Sequence, residues 1–121
     1  MPRPIHFEIP AGDIAAMIGF YETLFGWKIR KVQEEPVPYW LISTGEGPGI
    51  DGGLLPRRSP HQPCVNTIDV EDIDAALVTV AERGGKIALP KFAVPGVGWL
   101  AYCQDPEGNM FGLMQNDASA A

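Results

Sequence analysis

At 121 residues, 45% of them apolar, the chain is long enough to bury a core of its own. Its formal charge of −6 argues against nucleic acid or an anionic membrane as a partner, because both require a basic patch. No apolar run approaches the roughly 18 residues that a bilayer-spanning helix needs.

The start, Met1-Pro2-Arg3-Pro4, has no hydrophobic segment behind it, so no signal peptide is expected. Cys64 and Cys103 form no metal-spaced or redox motif, and a cytoplasmic setting with two reduced thiols is expected. Ile5-His6-Phe7-Glu8-Ile9 alternates and predicts a strand with His6 and Glu8 on one face and the apolar residues on the other. Asp13 is a good N-cap, and Ile14, Met17, Ile18, Tyr21 and Leu24 then recur at helical spacing until Gly26. Strands are predicted at Trp27–Val32, Tyr39–Ser43 and Ile50–Leu55, giving a first β-α-β-β-β module over about residues 4–56.

Residues 56–63 hold three prolines and read as an irregular connector. A second module, about 64–115, opens with a strand at Cys64–Val70, followed by an Asp72-capped helix with the stripe Ile73, Ala76, Leu77 and Val80. Gly84-Gly85 stop that helix, Lys86–Leu89 is a strand, and Pro90–Gly98 reads as a loop. Asp105-Pro106-Glu107-Gly108-Asn109 is strong turn punctuation between two apolar runs, and predicts an antiparallel hairpin. The tail Asn116–Ala121 is small and polar and is expected to fray.

The two modules echo one another. Pro36, Trp40-Leu41, Gly49 and Gly53-Leu54 return 59 residues later as Pro95, Trp99-Leu100, Gly108 and Gly112-Leu113. The chain is a duplication. Each module makes an amphipathic sheet with one helix on one face, and the other faces must be buried or line a cavity.

A duplicated chain with His6-Phe7-Glu8-Ile9-Pro10 before Asp13, Phe20-Tyr21-Glu22 before Leu24-Phe25-Gly26-Trp27, and the Asp105–Asn109 turn resembles the vicinal oxygen chelate superfamily. That superfamily includes glyoxalase I, bleomycin-resistance proteins and extradiol dioxygenases, and the resemblance covers about residues 4–115. It implies a single α+β domain over 1–121, with tandem βαβββ modules forming a cupped, mostly antiparallel sheet and helices outside. It also implies a small-molecule ligand and a homodimer.

In metal-dependent members the ligands come from the first and last strands of each module. The corresponding positions here are His6, Val65, Gly53 and Gly112, and only His6 offers a side-chain donor. No metal cofactor is therefore expected, beyond weak divalent binding through His6. That leaves His6 as a structural histidine, an acid–base group, or a residual ligand assisted by Glu8 or a partner chain. Glu8 either works beside His6 or pairs with Arg57 or Arg58.

Alternation puts Trp40 and Trp99 on one face and Tyr39, Leu41, Leu100 and Tyr102 on the other, without saying which set lies under the helices. Trp40, Trp99 and Tyr102 are candidate substrate contacts, as are Gly53 and Gly112, where a ligand could approach the backbone. His6 and Glu8 are the candidate catalytic pair. The implied activity is a glyoxalase-like lyase or isomerase lacking the usual metal. The alternatives are a non-catalytic, antibiotic-sequestering binding protein and, more weakly, a ring-cleaving dioxygenase.

Overall fold

Two aspartates start the two helices. The Asp13 carboxylate accepts from Ala16 N at 3.1 Å and opens α1 (Ile14–Phe25), while Asp72 accepts from Ala75 N at 3.0 Å and opens α2 (Ile73–Glu82). Such caps satisfy amide donors that have no partner inside the helix. Gly26 ends α1 in the left-handed region at φ 73°, where a side chain would be strained.

The computed structural model describes residues 1–121 as an α+β chain with eight strands: β1 (Pro4–Ala11), β2 (Lys28–Gln33), β3 (Tyr39–Ser43), β4 (Asp51–Pro56), β5 (Val65–Asp69), β6 (Lys86–Val94), β7 (Gly98–Gln104) and β8 (Met110–Asn116). It falls into two compact units, one of residues 6–64 and one of residues 65–121 together with residues 1–5. Asp69 N donates to Arg3 O at 3.0 Å within the latter.

In the first unit β1 pairs with β4 in parallel, while β4–β3 and β3–β2 are antiparallel. The second unit repeats this, with β5–β8 parallel and β8–β7 and β7–β6 antiparallel. Each module is thus a mixed sheet: the helix carries the chain across to the far edge strand, and two antiparallel returns bring the last strand back beside the first, running the same way.

Each helix covers one face of its own sheet. In the first unit Ile9, Ala11, Ile42 and Leu54 are buried, with Phe7, Ile14, Met17, Ile18, Tyr21, Ile29 and Trp40 packed against them. In the second, Ile73, Ala101, Cys103 and Leu113 are buried beneath Ala76, Leu77 and Val80. Leu24 departs from the expected stripe, being 57% exposed beside the exposed Phe20 and Phe25.

Three further expectations fail for identifiable reasons. Strand β6 runs on through Pro90 to Val94 instead of ending at Leu89. It pairs with β7 alone, with register shifts at Ile87/Leu89 and Leu89/Phe92, and a sheet edge is where a residue without an amide donor fits.

The tail does not fray. Gly96 N donates to Ala120 O at 3.0 Å, Asp117 N to Val97 O at 2.9 Å, and Trp99 Nε1 to Asp117 Oδ2 at 3.1 Å. The Asp117 carboxyl is held below the usual range, chiefly by Ser119 and then by Trp99. Asp117→Ala is expected to lower the melting temperature by a few degrees and to change Trp99 fluorescence. Identical melting and emission would show that the docked tail contributes nothing.

The third difference is register. Gly53 faces Leu41, but Gly112 faces Tyr102, which lies two residues beyond the sequence echo of Leu41 at Leu100. Trp40 and Trp99 therefore occupy matching strands but not matching positions. By the ladder, the counterpart of Tyr39 is Leu100.

Candidate functional site

The open face of the first unit, turned away from α1, carries its polar chemistry. Phe7 and Ile9 point to the helix, which leaves His6 and Glu8 on the opposite side of β1. Across the sheet from Glu8 the same row continues through Gly53, Leu41 and Arg30. Tyr39, two residues before Leu41, shares that face.

The Tyr39 hydroxyl lies between the other two side chains, 2.8 Å from His6 Nε2 and donating to Glu8 Oε2 at 3.0 Å. The glutamate is only 9% exposed. A buried carboxylate in that setting requires a donor, and the phenol supplies one.

Gly53 is what lets the phenol reach its place. A Cβ at residue 53 would collide with the Tyr39 hydroxyl and ring carbons. The close backbone approach expected at this glycine is thus made by a side chain of the same unit. Alternation put Tyr39 on the face opposite Trp40 but did not say that this face was the open one. The strand was legible, but its register against β4 and the direction of its faces were not.

Burial pulls the His6 pKa below its ordinary 6.5, against the nearby Glu8 and Asp51 carboxylates, which pull it up. The ring is therefore neutral at pH 7. Just below pH 6.5 the unfolded chain protonates this histidine more readily than the folded one does. Stability should then rise with pH through that window and flatten above it. His6→Gln is expected to remove that part of the slope in melting temperature between about pH 5 and about pH 8. A slope unchanged by the substitution would refute this effect of burial.

The other candidate residues are distributed as follows. Trp40 and Trp99 pack on the helix-facing sides of their sheets, with Lys31 and Lys91 over their rings at 5.1 and 4.9 Å. Trp40, on the helix side of its sheet, is not brought together with His6. Tyr102 lies on the open face of the second unit, stacked against Phe92 with centroids 6.4 Å apart. A Cβ at Gly112 would come within 2.9 Å of Thr67 Oγ1. Arg57 does not pair with Glu8: its guanidinium donates to Gln62 O at 2.7 Å and Pro10 O at 3.2 Å, bracing the connector. His61 and Cys64 are exposed and Cys103 is buried.

The modules have diverged at their matching positions. His6, Glu8 and Tyr39 in the first correspond to Val65, Thr67 and Leu100 in the second. At these three positions the first module carries a hydrogen-bonded titratable chain, and the second carries no titratable side chain.

A metal of the superfamily's usual kind does not fit these residues. In the first unit His6 is the one donor at the implied positions, and the side-chain space of residue 53 is filled by the Tyr39 phenol. In the second, Val65 and Gly112 have no donor atoms, and Thr67 closes the space beside Gly112. No group of three or more His, Cys, Asp or Glu side chains is arranged to hold a metal ion.

Comparison with known proteins agrees with this architecture. A putative glyoxylase, CFP32, of Mycobacterium tuberculosis is 30% identical over 120 residues, covering 93% of this chain and 45% of that protein. The chain therefore spans about half the length of such relatives. A probable lactoylglutathione lyase of Vibrio cholerae is 27% identical, covering 98% of this chain and 94% of that one. The crystal structure of a hypothetical protein of Bacillus halodurans has the same fold, with a TM-score of 0.70 at 18% identity, covering 99% of this chain and 98% of that one. No helix is long and apolar enough to cross a membrane. The family model for Glyoxalase/Bleomycin resistance protein/Dioxygenase matches residues 3–113, and the chain belongs to that superfamily.

Proposed function

We propose that the chain binds a small organic molecule on the open face of its first unit, and that His6 moves a proton there in a metal-independent lyase or isomerase reaction. The observation that carries this reading is the chain of hydrogen bonds from buried Glu8 through Tyr39 to His6. A neutral imidazole backed by a carboxylate can accept a proton and have the resulting charge stabilised. The name of the Vibrio cholerae relative, a probable lactoylglutathione lyase, supports the reaction class. The suited substrates carry an acidic C–H beside a carbonyl.

A second reading, a non-catalytic binding protein, is favoured by Val65, Leu100 and Gly112 in the second module, which offer no proton-transfer group. One experiment separates the two. A panel of small 2-oxo acids, 2-hydroxy ketones and thioesters is screened by thermal shift, and each stabilising compound is incubated with the protein in deuterated water. Deuterium incorporation that is lost in His6→Ala supports the enzyme. Stabilisation without exchange supports the binding protein. Stabilisation equal in wild type, His6→Ala and Glu8→Gln would remove the site altogether.

The working form is a homodimer. Phe20, Leu24 and Phe25 leave an apolar patch on α1, each more than half exposed, and a second copy would cover such a surface. A monomeric mass by light scattering at tens of micromolar would contradict this.

A further inference from the structure

His6 has two ring nitrogens, and the hydrogen bonds around Tyr39 select between them. A phenol has one proton, and a carboxylate can only accept. Tyr39 gives that proton to Glu8 Oε2 at 3.0 Å, so toward His6, 2.8 Å away, it presents only a lone pair. The nitrogen facing it is Nε2, which must then carry the hydrogen.

We propose that Tyr39 is the positioning residue of the site: it holds neutral His6 as the Nε2–H tautomer and leaves the Nδ1 lone pair as the base. Gly53 belongs to the same device, since any side chain there would displace the phenol. The groups facing His6 are Tyr39, Glu8 and Asp51, and of these Asp51 is engaged with Thr44 N at 2.9 Å and Thr44 Oγ1 at 3.2 Å. The second module cannot reproduce the device, because Leu100 stands where Tyr39 does and Val65 where His6 does.

This deepens the proposed function and rests on it for its chemical consequence. The substrate must present its acidic C–H to the Nδ1 edge of the ring. In the step, the C–H bond breaks and its electron pair moves into the neighbouring carbonyl as an enolate. The proton goes to Nδ1 and forms an imidazolium. Nε2–H stays bonded to Tyr39, Tyr39 to Glu8, and the carboxylate stabilises the new charge without taking a proton. Returning the proton from Nδ1 to the same carbon or to another restores the neutral ring, and no oxidant or reductant enters.

The tautomer is measurable with no ligand. The chain has two histidines, His6 and His61, so His61→Asn assigns the signals of a uniformly ¹⁵N-labelled protein. Long-range ¹H–¹⁵N correlation at pH 7.5 or above should show His6 as one species, protonated at Nε2 with a bare Nδ1. Tyr39→Phe, which keeps the ring over Gly53, should lose that single tautomer and give a mixture. A wild-type His6 protonated mainly at Nδ1 overturns the proposal, as does a Tyr39→Phe spectrum with the tautomer unchanged. If Tyr39→Phe does not fold, the wild-type spectrum decides alone. Failure of deuterium exchange with the Nε2–H tautomer intact would remove the proposed activity and leave this assignment standing. Exchange with His6 in the Nδ1–H form would do the reverse.

Discussion

Gly53→Ala is expected to cost about 2–4 kcal/mol of stability and to dismantle the Glu8–Tyr39–His6 chain, the local change with the largest expected functional effect. The new methyl would stand where the Tyr39 hydroxyl and ring carbons now lie. The obstacle is a side chain, so the phenol can swing away and the β1–β4 pairing can survive. In swinging away it abandons the bond to Glu8 and the bond to His6 together. A buried carboxylate that loses one of its donors forfeits that bond without water to replace it. Tyr39→Ala removes the obstacle in advance. Adding Gly53→Ala to Tyr39→Ala should therefore cost far less than it does in the wild type, a coupling expected of groups in direct contact. Chemical denaturation of the four proteins measures it. Additive losses would show that Gly53 and Tyr39 do not share that space.

Gly98→Ala is the second large effect, and its obstacle is of another kind. A Cβ at residue 98 would press on the carbonyl oxygen of Gln115, with the Gln115 carbon at 3.0 Å and Asn116 Cα at 3.1 Å. These are backbone atoms of β8, paired with β7 along its length, and no rotamer change relieves them. The strands must part locally. Gln115 also accepts from Ile73 N at 2.9 Å through its side chain, so the displacement reaches the first residue of α2. The expected loss is about 3 kcal/mol or more, lowering the melting temperature by about 10 °C or more. A melting temperature within a degree or two of wild type would contradict this close approach of β7 and β8.

How much of this was legible in the sequence depended on whether the determinant was local. Helix boundaries were, because Asp13, Asp72 and Gly26 act on atoms within a turn of themselves. The Asp105–Asn109 hairpin was too, since Asp105 accepts from Glu107 N and Asn109 N at 2.9 Å and from Asn109 Nδ2 at 2.9 Å. Those bonds, led by the one from the Asn109 side chain, hold the Asp105 carboxyl below its ordinary range.

Nonlocal pairing was not legible. Pro90 reads as a breaker until β6 is known to be an edge, and Asn116–Ala121 reads as a loose end until Val97 and Gly96 are known to receive it. The same gap hid the contact of Tyr39 with His6 and Glu8. That His6 and Glu8 share a face was legible because alternation on a single strand is local. Tyr39 comes from a strand 31 residues beyond Glu8, and only the pairing of β3 with β4 and of β4 with β1 brings them together. The sequence echo misled in one respect: it aligned Trp40 with Trp99, whereas the ladders align Leu41 with Tyr102.

The most direct measurement is protein-observed NMR with the same panel of 2-oxo acids, 2-hydroxy ketones and thioesters, recorded on ¹⁵N-labelled wild type and on Tyr39→Phe. The expected result is a set of amide shifts confined to the neighbourhoods of His6–Glu8, Tyr39–Leu41 and Gly52–Gly53, with His6 Nδ1 the most perturbed side-chain nitrogen and the response reduced at least tenfold in Tyr39→Phe. Shifts that instead map to the open face of the second unit around Thr67, Leu100 and Tyr102, or that persist undiminished in Tyr39→Phe, would contradict the assignment of function to the Glu8–Tyr39–His6 chain.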